Sequence, residues 1–293
     1  MRKTANVGVG AVLPDTRPPG QGRVMTERKR VVIRPGAGSR LWRYRLTCLL
    51  LALFCWLPAV AAELPDTIEK VRGSIVGVGV IRSPKQSRKV SVEPRGTGFV
   101  VGAGNRVVTN FHVLPEDFDA NPEEKLTVFT GRGDDARGRH AKVLRTDPEH
   151  DLALLEFSGE PLPAMKLAGS RPREGEEVVF TGFPLGMILG LYPATTKTII
   201  SAITPIAIPA PSSRSLTAAQ VKRLKSPYLV YQLDAIAYPG NSGSPVYHPE
   251  TGEVLGVINS VFVKGSKEAL LSSPSGITYA IPVRYVKALL ADD

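Results

Sequence analysis

The chain predicts an all-β fold in two halves, and three observations carry that reading. First, short runs rich in Val, Ile and Thr recur between Gly, Pro and Asp residues, as in Ser74–Ile81, Gly98–Val101, Arg106–Thr109, Leu126–Thr130, Ala141–Arg145 and Leu152–Phe157. Second, Gly159–Gly175 holds Pro161, Pro163 and Pro172 and reads as a connection. Third, the pattern resumes beyond it in Glu177–Thr181, Thr198–Ile203, Leu229–Leu233, Val254–Val263 and Ile277–Ile281. About a dozen such strands with few helical patterns fit a barrel or a sandwich.

Three segments depart from strand patterning. Leu64–Val71 is helix-like. Ile203–Pro227 is proline-rich and carries Ser215–Leu224, a short helix with Ser215 as N-cap, inside an insertion whose role the sequence does not assign. At the end, Val283, Val286 and Leu290 recur at helical spacing and predict a closing amphipathic helix over 283–291. No internal repeat is visible.

The 293 residues are 43% hydrophobic, enough for a real core, and the formal charge is +10. That charge suggests a nucleic-acid footprint until it is located. Residues 1–62 carry 11 Lys/Arg against 2 Asp/Glu, and the rest of the chain carries 26 against 25. The body is nearly neutral, so no nucleic-acid partner is expected.

The basic leader reads as an export signal. Arg40, Arg43 and Arg45 flank an apolar run, Leu46–Leu57, followed by Pro58-Ala59-Val60-Ala61-Ala62. Small residues there predict cleavage after Ala62 or Ala61. The alternative is a retained anchor, but a spanning helix takes about 20 apolar residues and this run is shorter. Translation starts at Met1 or at Met25. Both cysteines, Cys48 and Cys55, lie in the apolar run. The mature chain, 63–293, is therefore expected to hold no disulfide, cysteine metal site or stable membrane span, in a periplasmic or secreted setting.

The chemistry is concentrated in three segments. Tyr238-Pro239-Gly240-Asn241-Ser242-Gly243-Ser244 sets a serine between glycines. Upstream stand Val108-Thr109-Asn110-Phe111-His112-Val113 and His150-Asp151-Leu152-Ala153. A serine hydroxyl is a poor nucleophile until an imidazole takes its proton and a carboxylate orients that imidazole. Flanking glycines let two amide N–H groups turn toward a developing oxyanion. The order His, Asp, Ser excludes the α/β-hydrolase elbow, which has acid and histidine downstream of its serine. It also excludes the order Asp, His, Ser, for which only Asp66 is available. Asp147 and Asp234 are rival acids, the first more suited to capping a turn and the second to a structural role. His140, His150 and His248 have no motif around them and read as surface residues.

With these motifs the chain resembles the trypsin-like (chymotrypsin-fold) serine proteases, above all the bacterial HtrA/Do group and the glutamyl endopeptidases. Gly96-Thr97-Gly98-Phe99-Val100 with Thr109–Val113 is similar to their histidine block, and Asp151–Leu155 to their aspartate block. Gly182-Phe183-Pro184-Leu185-Gly186 is similar to the turn between blocks. Gln232–Ala235 with Gly240–Gly243 is similar to the serine block, and Gly252–Val257 with Gly276–Pro282 to the close of the second barrel. The resemblance covers roughly 66–290. It implies two six-stranded antiparallel β-barrels, the first over about 72–165 and the second over about 176–282, with the short C-terminal helix. It implies Ser242 as nucleophile, His112 as general base, Asp151 as its partner, and the N–H groups of Gly240 and Ser242 as oxyanion hole. No cofactor or metal is needed, and the expected partners are polypeptide substrates.

Departures from the family pattern carry further expectations. Ser244 stands for the usual second glycine, as in glutamyl endopeptidases. Asn241 replaces the aspartate with which digestive trypsins bind a newly cut N-terminus, so that zymogen switch is not expected. No PDZ domain of the HtrA type follows, and nothing in the sequence sets an oligomeric state. Ile236 occupies the pocket position where trypsins carry an acid, and Asn259 lies in the strand where glutamyl endopeptidases use a histidine. Both point to a small or medium apolar side chain before the cleaved bond. The rival functions are a catalytically weak binding or chaperone-like module, and an esterase of the same chemistry.

Overall fold

The computed structural model describes residues 63–83, 91–116, 124–184, 190–206, 227–259 and 276–291. The leader, the helix expected at Ser215–Leu224 and most of its insertion lie outside them. Six strands come first: β1 (Ile75–Arg82), β2 (Ser91–Val101), β3 (Arg106–Thr109), β4 (Glu124–Thr130), β5 (Arg137–Asp147) and β6 (Leu152–Phe157). They close an antiparallel barrel in the order β1-β2-β3-β6-β5-β4. Six more follow: β7 (Glu177–Gly182), β8 (Ala194–Pro205), β9 (Leu229–Asp234), β10 (Pro245–Tyr247), β11 (Val254–Asn259) and β12 (Ile277–Pro282). These close a second barrel in the order β7-β8-β9-β12-β11-β10, the same path walked again. The expected all-β, two-barrel architecture is present, and so is the repeat of topology that the sequence conceals.

Many strands are buried on both faces, which is why they read as continuous apolar runs. Alternate side chains of one strand serve two cores. In β6, Ala153 and Leu155 fill the first barrel with Val78, Val100 and Val128, whereas Leu152 and Leu154 face a third cluster. In β7, Val178 and Phe180 fill the second barrel with Ile200, Leu233 and Ile258, whereas Val179 joins that third cluster. The shared cluster brings Phe99 and Val101 of the first barrel together with Tyr247, Val257 and Ile281 of the second. Each fully buried Leu or Phe contributes about 1.5–3 kcal/mol, so the inter-barrel seam is as much a core as either barrel.

Two helices close the described chain, α1 (Leu64–Arg72) and α2 (Val283–Ala291). In α1, Pro65 sits in the first turn, and Asp66 and the pair Lys70 and Arg72 complement the two ends of the helix dipole. In α2, Val283, Val286 and Leu289 are buried and Leu290 packs half-buried beside them. Arg145 from β5 donates to the Leu289 carbonyl at 2.8 Å, giving a carbonyl at the end of α2 the donor it lacks within the helix. The connection between barrels is laced to both, with Met165 N–H on Val100 O and Ala168 N–H on Val254 O.

Candidate active site

Strand register puts two of the expected residues side by side. β3 pairs antiparallel with β6, Thr109 opposite Ala153, so the residues just past β3 meet those just before β6. Past β3 the chain makes one helical turn, Phe111–Val113, with His112 at its centre. The turn is tied to Asp151 by the Phe111 N–H and the Asn110 side-chain amide, both donating to the Asp151 carbonyl at 3.1 and 3.0 Å. The His112 N–H donates to Asp151 Oδ1 at 2.9 Å. Three bonds thus hold the imidazole before its own ring makes any.

Asp151 is one of two described non-glycine residues with positive φ, at +55°. Asp tolerates that left-handed region better than most residues, yet such a backbone persists only where surrounding contacts over-determine it. The preceding turn supplies them. Asp147 accepts the His150 N–H at 3.1 Å and pairs with His150 Nδ1 at 2.6 Å. Burial pushes the Asp147 carboxyl up, but the side-chain and backbone hydrogen bonds from His150 and its charge outweigh this and hold it below its ordinary range. The His150 ring stacks on Tyr285 of α2 at 3.9 Å and meets Tyr228 edge-on at 4.7 Å. His150 is therefore no bare surface histidine: α2 folds back and roofs the turn. Asp147 caps that turn, as expected.

The carboxylate of Asp151 is buried and fully used. Its Oδ2 pairs with His112 Nδ1 at 2.6 Å and accepts the Asn259 amide at 2.5 Å. Asn259, expected beside the substrate pocket, has a fully buried side chain that lies behind the acid. On the other side of the imidazole, His112 Nε2 stands 3.0 Å from Ser242 Oγ. Ser242 is buried, while the His112 side chain keeps about 30% exposure at the seam. One line of hydrogen bonds thus runs from a hydroxyl through an imidazole to a carboxylate, an arrangement able to move a proton off the hydroxyl while the acid holds the imidazole in place.

The serine turn is drawn tight by main-chain bonds. Asn241 N–H donates to Tyr238 O and Ser244 N–H to Asn241 O, both at 3.0 Å, and Gly243 N–H donates to Ile258 O at 3.0 Å. The Ser242 carbonyl accepts Thr97 N–H of the first barrel at 2.8 Å. Gly243 has φ of +88°, and a Cβ there would collide with the Thr97 carbonyl and the Thr109 hydroxyl. Only glycine lets the chain pass so close to β2. Gly240 also lies in the left-handed half, at +98°. Among the described residues the N–H groups of Gly240 and Ser242 have no acceptor, so two donors beside Ser242 Oγ stand available. Ile236, at 37% exposure, and Tyr238, at 40%, are apolar surface on the approach to the serine turn.

The rival residues lie elsewhere in the network. Asp234 uses its carbonyl to accept Thr198 Oγ1–H. His248 Nδ1 accepts Glu250 N–H in a hairpin turn. Among the described residues no group of three or more His, Cys, Asp or Glu could hold a metal ion, and no helix is long and apolar enough to cross a membrane. Sequence reasoning missed the hydroxyl of Thr97, which reaches the serine turn, and the side chain of His150 in its ring stack.

Comparison with known proteins follows the same lines. Residues 96–257 match the model of the trypsin-like peptidase domain, a range containing His112, Asp151 and Ser242. The chain is similar to a probable periplasmic serine endoprotease DegP-like of Pseudomonas fluorescens, 30% identical over 203 residues, 69% of this chain and 35% of that protein. It is similar also to the mitochondrial serine protease HTRA2 of Bos taurus, 32% identical over 222 residues, 75% of this chain and 40% of that protein. It thus spans well under half the length of these curated relatives. The solved structure of an HtrA-type protease with tripeptide shares the fold, with a TM-score of 0.53 at 22% identity, covering 78% of this chain and 63% of the other.

Proposed function

Since the chain belongs to the trypsin-like peptidase domain family, we propose that it is a serine endopeptidase in which Ser242, His112 and Asp151 work as one unit. The observation that carries this is the continuous line Ser242 Oγ, His112 Nε2, His112 Nδ1, Asp151 Oδ2, with links of 3.0 and 2.6 Å. Ser242 Oγ attacks the carbonyl carbon of the bound peptide as its proton passes to His112 Nε2. The imidazolium so formed is stabilised by Asp151. The oxygen of the tetrahedral intermediate takes the N–H bonds of Gly240 and Ser242, each such donor worth about 3 kcal/mol of transition-state stabilisation. His112 then gives its proton to the leaving amine, leaving an acyl-enzyme. Water, deprotonated by the same imidazole, releases the second product and restores Ser242.

The substrates of this reading are accessible polypeptides. A small or medium apolar residue before the scissile bond is supported by Ile236 near the serine, where a cationic side chain would find no carboxylate. Export to the periplasm, with residues 1–62 as leader and 63–293 as the mature protease, is supported by the arginine-flanked apolar run and by the printed names of the bacterial relatives.

A fluorophosphonate probe tests the reading directly. Wild type should be labelled at Ser242 and should cleave a denatured protein, and Ser242→Ala should do neither. Folded wild type that takes no label would leave a binding module in place of an enzyme. Cleavage after Arg, Lys or Glu in an unbiased peptide library would refute the apolar pocket alone.

A further inference from the structure

Thr97 belongs to β2 of the first barrel and is completely buried, yet its hydroxyl and its N–H are spent on the second barrel. Its Oγ lies 2.7 Å from the Gly240 carbonyl and 3.0 Å from the Phe183 N–H. An N–H can only donate and a carbonyl can only accept, so the direction of both bonds is determined: Phe183 donates to the hydroxyl and the hydroxyl donates to Gly240. The Thr97 N–H also holds the Ser242 carbonyl at 2.8 Å, and the Thr97 carbonyl accepts Thr109 Oγ1–H at 2.7 Å.

The bond to Gly240 acts on the peptide that separates the two candidate oxyanion donors. That peptide joins Gly240 to Asn241. Its N–H is held by the Tyr238 carbonyl within the turn, and among the described residues its C=O is held by Thr97 alone, from across the seam. Glycine at 240 gives the backbone wide freedom on one side of this peptide. With the carbonyl released, Gly240 would be free to turn about its own φ and ψ, and its N–H, which belongs to the preceding Pro239–Gly240 peptide, would leave its line while the triad stayed intact.

We infer that Thr97 is the positioning residue of the oxyanion hole, its hydroxyl anchoring Gly240 by the carbonyl and so fixing the glycine conformation that aims the Gly240 N–H at the reacting carbonyl. The inference rests on Ser242 being the nucleophile. It adds that the first barrel contributes a group that aims the oxyanion donors of the second, besides the imidazole and carboxylate.

The test uses Thr97→Val, which keeps the shape and removes the hydroxyl, and Thr97→Ser, which keeps the hydroxyl. The substrate is a fluorogenic peptide copied from a site that wild type cleaves in a denatured protein. The inhibitors are the same peptide ending in an aldehyde, whose adduct places an oxyanion in the hole, and in the matching alcohol, which does not. Thr97→Val should lower kcat roughly 10- to 100-fold, short of the full loss of one donor, with KM changed less than about threefold. Its preference for the aldehyde over the alcohol should fall by a similar factor. The midpoint of its pH–rate profile should not move, and Thr97→Ser should return kcat to within about threefold of wild type. Should Thr97→Val not fold, Thr97→Ala takes the same measurements. A variant lacking the hydroxyl that keeps the wild-type kcat and aldehyde preference overturns the inference alone, provided that wild type is labelled at Ser242. Wild type that is unlabelled, or cleavage that survives Ser242→Ala, removes the nucleophile reading and this inference with it.

Discussion

The Asn259 amide crosses from β11 and donates to Asp151 Oδ2, the oxygen that also pairs with His112 Nδ1. A residue of the second barrel thereby holds an acid that the first barrel supplies. A hydrogen bond to a charged group contributes about 1.5–3 kcal/mol. Expressed in turnover, its loss in Asn259→Leu should lower kcat roughly 10- to 100-fold. Asn259→Asp should be worse than Asn259→Leu at neutral pH, because two carboxylates would then share one buried site. Steady-state kinetics of the two variants decides this, and equal losses would sink the charge argument.

Gly243→Ala tests the closeness of the serine turn to β2. Its left-handed φ costs a non-glycine residue about 1–3 kcal/mol, and the added Cβ would meet the Thr97 carbonyl and Thr109 hydroxyl. Urea unfolding should show a loss at the upper end of that range or beyond. Fluorophosphonate labelling should slow even at temperatures where the variant is folded. A loss below about 0.5 kcal/mol, typical of an unremarkable surface substitution, would mean that the turn has room to shift.

Much of the site is legible in the sequence because each triad residue sits in a short local motif. His112 follows the strand 106–109, Asp151 precedes the strand 152–157, and Ser242 lies between glycines. The supports of the triad are not local. Thr97 and Gly240 are 143 residues apart, and Asn259 and Asp151 are 108 apart; a threonine and an asparagine in strands look like ordinary strand residues. His150 is misread for the same reason, since its stacking partner Tyr285 comes from the last helix. β10 escapes detection because three apolar residues, Pro245–Tyr247, carry no period. The duplicated barrel path leaves no sequence repeat, because closure needs apolar strands in a given order and not particular side chains.

Asp147 predicts one limb of the acid response. Its carboxyl is held below its ordinary value of 3.8 by His150, so its contribution is present above that pH and is lost as pH falls through the folded value. Asp147→Asn should be less stable than wild type near neutrality, and the gap should close below about pH 3.8. Urea midpoints measured from pH 7 to pH 2.5 check this. A gap that stays constant across the range would show that the ion pair with His150 contributes nothing.

Tyr247 predicts the alkaline limb. Its ring is wholly buried in the inter-barrel cluster, and its hydroxyl bonds the Thr181 hydroxyl at 2.7 Å, which in turn bonds Thr195 at 2.9 Å. Burial pushes the phenol above its ordinary value of 10.0, against the hydrogen bonds with Thr181 and Thr195. The stability tied to the neutral phenol is fully present below that pH. It is lost above it, as the unfolded chain ionises and the folded one resists. At pH 8 Tyr247→Phe should cost about 1 kcal/mol, one net hydrogen bond, with Thr181 still paired to Thr195. Above about pH 10 wild type should lose stability faster than the variant, so the two curves converge and can cross. Tyr231, whose phenol burial also raises, titrates in both proteins and cancels in the difference. Parallel curves to pH 11 would mean that the Tyr247 hydroxyl can reach water on ionising, which the closed inter-barrel seam argues against.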